Sequence, residues 1–128
     1  MQINWNNKEP IYLQLRDRLV ELIMDGLLLE GDALPSVRQI SSEQRINPNT
    51  VSKAMQILMD EELVEKKRGL GMYVLTGAKE RLAKQERAKF LQQEWPQIEE
   101  RIERLGLGLD ELLGSSEADK GKSRKDER

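Results

Sequence analysis

Four polar side chains, Asn49, Ser52, Lys53 and Gln56, are spaced so that a helix would carry them on one side, with Val51, Ala54, Met55 and Leu58 on the other. That pattern suits the edge of a base pair. An amide such as Asn49 or Gln56 donates and accepts at once, matching the N6 and N7 positions of adenine, while Thr50 and Ser52 can bond bases or phosphates and Lys53 adds a charge. Between Ser36 and Met55 the cations Arg38, Arg45 and Lys53 stand against Glu43 alone, and Lys66, Lys67 and Arg68 form a second cationic group. Two positive clusters in a chain of formal net charge -2 put cations where a phosphate backbone would need them.

Composition removes most other chemistry. There is no cysteine and no histidine, so disulfides, thiol nucleophiles, imidazole bases and nitrogen or sulfur metal ligands are absent. The acid pairs Glu61-Glu62 and Glu99-Glu100 occupy adjacent positions that diverge by about 100° on a helix and do not converge on one substrate atom. The expectation is therefore no enzyme, no cofactor and no metal. At 128 residues, with 38% hydrophobic, 4% aromatic and 34% charged residues, the chain has room for one small aliphatic core and an appendage. Met1 to Asn7 reads as polar rather than as a signal sequence, and nowhere do about eighteen apolar residues follow one another. A cytoplasmic protein without membrane association is expected.

The elements that must position these residues are legible from periodicity and caps. A first helix is predicted from about Pro10 to Asp25, with Ile11, Leu15, Leu19, Leu22 and Ile23 on one face and Gly26 as its stop. Leu27 to Leu34 reads as a connector. Ser36 caps a short second helix to about Gln44 that buries Val37 and Ile40, and Asn47-Pro48 opens a third helix to about Glu61. The third helix's positive N-terminus would also attract phosphate. Leu63 to Arg68 and Met72 to Leu75 read as a hairpin turned by Gly69-Leu70-Gly71. From Ala78 the pattern is helical again, interrupted at Pro96 and broken at Gly106 and Gly108, with a last turn near Asp110 to Leu113. The fold class is mainly α with a small β hairpin: a winged helix-turn-helix followed by a short helical tail.

Three stretches, Leu34-Pro35-Ser36-Val37-Arg38-Gln39-Ile40-Ser41, Asn47-Pro48-Asn49-Thr50-Val51-Ser52-Lys53-Ala54, and Leu63-Val64 with Gly69-Leu70-Gly71-Met72-Tyr73-Val74, resemble in order and spacing the N-terminal domain of the GntR family of bacterial transcription regulators. Asn47 to Val51 and the short tail resemble its YtrA subfamily. The resemblance implies a homodimeric repressor on a palindromic double-stranded DNA operator. Arg38, Asn47 to Thr50, Ser52 and Gly69 to Gly71 would then touch DNA. The chain departs from the family at Pro48 and Ser52, where many members carry Arg, and at Met72, where Thr is frequent.

With Ser36, Arg45, Lys53, Gln56, Lys66 and Arg68 added on charge and chemistry, these residues form the expected interface. Each has a plainer reading as well. Asn47 and Pro48 serve any helix start, Gly69 and Gly71 serve any hairpin, Arg38 and Arg45 suit surface ion pairs, and Lys66 to Arg68 suit an edge strand guarded against aggregation. It is their joint occurrence that favours nucleic acid. The rival readings are a winged helix used as a protein-interaction module without DNA binding, and a hydrolase working through carboxylates alone.

The expected domains are 1–76, the DNA-binding unit; 77–113, a helical tail; and 114–128, a disordered C-terminus rich in Gly, Ser, Lys, Asp and Glu. The tail is too short for a private core yet carries Phe90, Leu91, Trp95, Ile98, Ile102 and Leu105, which assigns it to dimerisation. An inducer, if the protein has one, would sit between helices or at the dimer seam.

Overall fold

The computed structural model describes residues 1–114; the expected disordered segment lies outside them from 115 onward, and Gly114 itself is helical. The chain divides into two compact units, Met1–Glu86 and a second beginning at Arg87.

In the first unit, α1 (Ile11–Met24) begins after Pro10, whose carbonyl accepts from the amides of Leu13 and Gln14 at 3.1 and 3.3 Å, and it ends at Asp25. Its inner stripe is Leu15, Leu19, Val20 and Ile23; Ile11, expected on that face, is 40% exposed because it sits on the first turn beyond the core. Helix α2 (Val37–Gln44) buries Ile40 and leaves Val37 partly covered. Helix α3 (Pro48–Asp60) packs on both and buries Val51, Ala54, Met55 and Leu58. Strands β1 (Val64–Lys67) and β2 (Gly71–Val74) pair antiparallel, Val64 opposite Val74 and Lys67 opposite Gly71. Helix α4 (Ala78–Lys89) closes this core with Ala78 and Leu82, both fully buried, so the first unit runs past residue 76 to Glu86.

Two features were not expected. Residues 31–34 are more than a connector: the amides of Gly31 and Leu34 donate to the carbonyls of Val74 and Met72, both at 2.8 Å, and Val74 N–H returns to Asp32 at 2.9 Å. Strand β2 is therefore flanked on both edges. The N-terminal stretch is not simply polar either. Met1, Ile3 and Trp5 pack against the core, and the buried Gln14 amide accepts from Asn6 N–H and donates to the carbonyls of Asn6 and Glu9 at 2.7–2.9 Å.

In the second unit, a π-helical turn (Phe90–Glu94) leads into α5 (Trp95–Leu105). The expected interruption at Pro96 is a correction in kind: the backbone stays helical. Pro96 lacks the N–H that would bond one turn back, and the chain absorbs this in a wider turn in which Trp95 N–H bonds the Phe90 carbonyl. Five residues apart would be poorly aligned on an α-helix, yet the Phe90 and Trp95 rings lie 6.3 Å apart because of that turn. Gly106 ends α5, and 109–114 forms a last helical turn.

Candidate nucleic-acid interface

Helix α3 starts where the sequence places it. The Asn47 Oδ1 accepts from the Asn49 amide at 2.8 Å, and the Asn47 carbonyl accepts from the amides of Thr50 and Val51 at 2.9 and 3.3 Å. Pro48 has no N–H. The first-turn donors of α3 are thus engaged by Asn47, so any attraction of this N-terminus for phosphate acts through the helix dipole rather than through free amides. Helix α2 differs. Ser36 Oγ caps the Gln39 amide at 3.0 Å and the Ser36 carbonyl takes the Ile40 amide at 3.0 Å, while the amides of Val37 and Arg38 have no acceptor among the described residues.

The outward face of α3 holds Asn49, Ser52, Lys53 and Gln56, all exposed, with Thr50 half-buried beside them. The Asn49 side chain makes no hydrogen bond among the described residues. Gln56 is less free than expected, since its Nε2 donates to Asp60 Oδ1 at 2.9 Å. Lys53 is also held: its Nζ lies 4.0 Å from the centre of the Tyr12 ring, a cation–π contact with α1. Arg38 and Arg45 are exposed at opposite ends of α2 and pair with no acid among the described residues. Arg45 caps α2 in the left-handed region (φ 55°), and Ser41 Oγ steadies the following turn by donating to the Ile46 carbonyl at 2.6 Å.

On the hairpin, Lys66 and Arg68 are exposed. Lys67 lies 4.6 Å from the Tyr73 ring centre, with Glu65 at 4.0 Å. Gly69 (φ 75°) and Gly71 (φ 105°) take conformations that a side chain would strain, so the turn requires glycine there whether or not it touches a ligand. Leu70 at the tip is 69% exposed. In the second unit Phe90, Leu91, Trp95, Ile98 and Leu105 are exposed and Ile102 is partly covered.

One positioning contact was missed by sequence reasoning. Arg16 of α1 donates through Nε to Glu61 Oε1 at 2.8 Å and through a second nitrogen to Oε2, with Asp17 on its remaining side at 2.9 Å. The Glu61 bond raises the guanidinium pKa above its already high ordinary value, against the opposing effect of burial. Glu61 is the C-cap of α3, so this clamp fixes the recognition helix to α1, and Arg16 also suits the negative helix end. Glu61→Ala should lower stability by about 2 kcal/mol, because it leaves Arg16 without its main partner, and urea unfolding would measure it.

Comparison with known proteins agrees with this geometry. Residues 11–74 match the family described as bacterial regulatory proteins, gntR family. The transcriptional repressor YtrA of Bacillus subtilis is 42% identical over 79 residues, which cover 62% of this chain and 61% of that repressor; the match thus spans about three fifths of its length. A putative transcriptional regulator of the GntR family from Bacteroides thetaiotaomicron has a TM-score of 0.69 at 30% identity, covering 88% of this chain and 98% of its own. YtrA from Sulfolobus acidocaldarius, a GntR-family transcription factor, gives 0.54 at 28% identity over 95% of this chain and 97% of its own. The YtrA matches support the subfamily that the sequence resembles. Among the described residues no helix is long and apolar enough to cross a membrane. With its capped third helix, exposed polar face and glycine-turned hairpin, the chain belongs to the gntR family of bacterial regulatory proteins, transcription regulators with a DNA-binding helix-turn-helix and not enzymes.

Proposed function

We propose that the chain is a homodimeric repressor that holds a palindromic operator by seating α3 of each protomer in the major groove of one half-site. One observation carries this reading: the face of α3 bearing Asn49, Ser52, Lys53 and Gln56 is open to solvent while the opposite face is buried. Asn49 is the principal base reader, since its side-chain amide has no partner among the described residues. Asn47 and Ser36 act mainly as caps, and Thr50 and Ser52 bond the adjacent backbone or bases. Arg38, together with the amides at the start of α2 that have no acceptor among the described residues, faces phosphate, as do Arg45, Lys66 and Arg68, and Gly69 and Gly71 let the hairpin backbone approach the duplex. Residues 1–76 supply these contacts, and within 77–113 the apolar residues beyond the first unit, from Phe90 to Leu105, supply the pairing surface. In the cytoplasm such a dimer, placed over a promoter, excludes polymerase sterically.

Arg45 carries a measurable consequence. A non-glycine residue in the left-handed region costs about 1 kcal/mol. Arg45→Gly should therefore raise thermal stability slightly while weakening every duplex alike, as expected for a lost phosphate contact. A variant that binds DNA as tightly as the wild type would remove Arg45 from the interface.

The reading as a whole is tested by fluorescence anisotropy on labelled duplexes over a salt series. Affinity should fall steeply with salt, at a logarithmic slope of about -0.9 per phosphate contact. Absence of binding to any duplex would instead favour a protein-interaction module.

A further inference from the structure

We propose that the cup between α5 and the 109–114 turn binds a small amphipathic organic cation, with an apolar or aromatic body and a substituted ammonium head. The cup is a shallow, solvent-open depression of about 350 Å³ lined by Trp95, Ile102, Leu107, Leu109 and Leu112, together with Glu99 and Glu103. That volume suits a small ligand. Among the described residues neither carboxylate has an ion-pair partner, whereas the neighbouring Glu100 lies 3.6 Å from Arg104. Among the described residues no cationic side chain lines the cup.

The chemistry of the walls selects the ligand class. Aliphatic side chains cover an apolar body, the Trp95 indole lining the cup supplies an aromatic ring to which a positive head is attracted, and two carboxylates one helical turn apart add charge without supplying any donor for an anion. A weakly hydrated quaternary ammonium loses least on leaving water. The backbone builds the cup at two points. The π turn ends at Trp95, and such turns recur at functional sites. Gly106, in the left-handed region, reverses the chain so that Leu109 and Leu112 share one cup with Trp95.

Occupation of the cup engages Trp95 and Ile102, two residues assigned to pairing, so it alters the surface that joins two chains and acts as an inducer signal. This regulatory role rests on the homodimeric-repressor reading; the site itself rests on the geometry of the second unit.

The test is calorimetric titration of the full chain with benzyltrimethylammonium, and with benzyl alcohol and benzoate as neutral and anionic controls. The cation should bind saturably and the controls at least about tenfold more weakly. Glu99→Gln combined with Glu103→Gln, both at exposed positions and checked for unchanged helicity, should weaken the cation about tenfold. No saturable binding at millimolar cation, equal binding of benzoate, or undiminished binding by the double variant would overturn the site. In a second arm, saturating cation should lower affinity for a bound duplex several-fold, and unchanged affinity would overturn the inducer role. A chain that binds the cation and no duplex supports the site and refutes the repressor reading, so the two failures are distinct.

Discussion

Replacing Ile98 and Ile102 together with Glu is expected to turn the protein into a monomer and to weaken operator binding by about 10² to 10⁴-fold. The loss follows from linkage: in a dimer the second half-site binds as an intramolecular event, and a monomer forfeits that gain without losing a single contact of its own. Ile98 is 40% exposed and Ile102 partly covered, and neither belongs to the core of the first unit, so the fold of that unit should survive. Light scattering reads the assembly and anisotropy reads the affinity. A variant that remains dimeric would take the tail out of this role.

Part of this fold and site is legible in the sequence, and individual residues show why. Ser36, Asn47-Pro48 and Gly69-Leu70-Gly71 act on their immediate neighbours, so their capping and turn chemistry can be read from spacing alone. The face of α3 follows from a period of 3.6. Contacts between distant segments left no such trace. Arg16 and Glu61 are 45 positions apart, and the pairing of 31–34 with β2 involves a stretch that reads as a connector. Two signals were present and pointed elsewhere. The alternation of Met1, Ile3 and Trp5 with polar residues marks an extended segment packed on one side, and Gln56 and Asp60 stand at the spacing of a helical side-chain pair. Pro96 was a true signal of disturbance, but a helix has a way of absorbing a missing donor without breaking, and the π turn is that way.

The second large effect concerns Asn49. Asn49→Ala should cost about 1 to 3 kcal/mol on the preferred operator if the amide reads one adenine in bidentate fashion, and much less on duplexes altered at that base pair. Its selectivity is the point. Lys53→Ala provides the contrast, because a charge held over Tyr12 acts on phosphate and should weaken all sequences to a similar degree while flattening the salt dependence by about one phosphate contact. Competition anisotropy with single-base variants of the duplex separates the two. Uniform losses for Asn49→Ala would assign base reading to Ser52 or to the hairpin.

The most direct measurement on the central claim is selection of bound sequences from a random duplex pool, using the wild-type chain. Two outward α3 faces related by a two-fold axis should enrich an inverted repeat whose half-site centres lie about 10 base pairs, or a multiple of that, apart. A pool that emerges without enrichment, or enriched for a single unsymmetric site, would contradict the account.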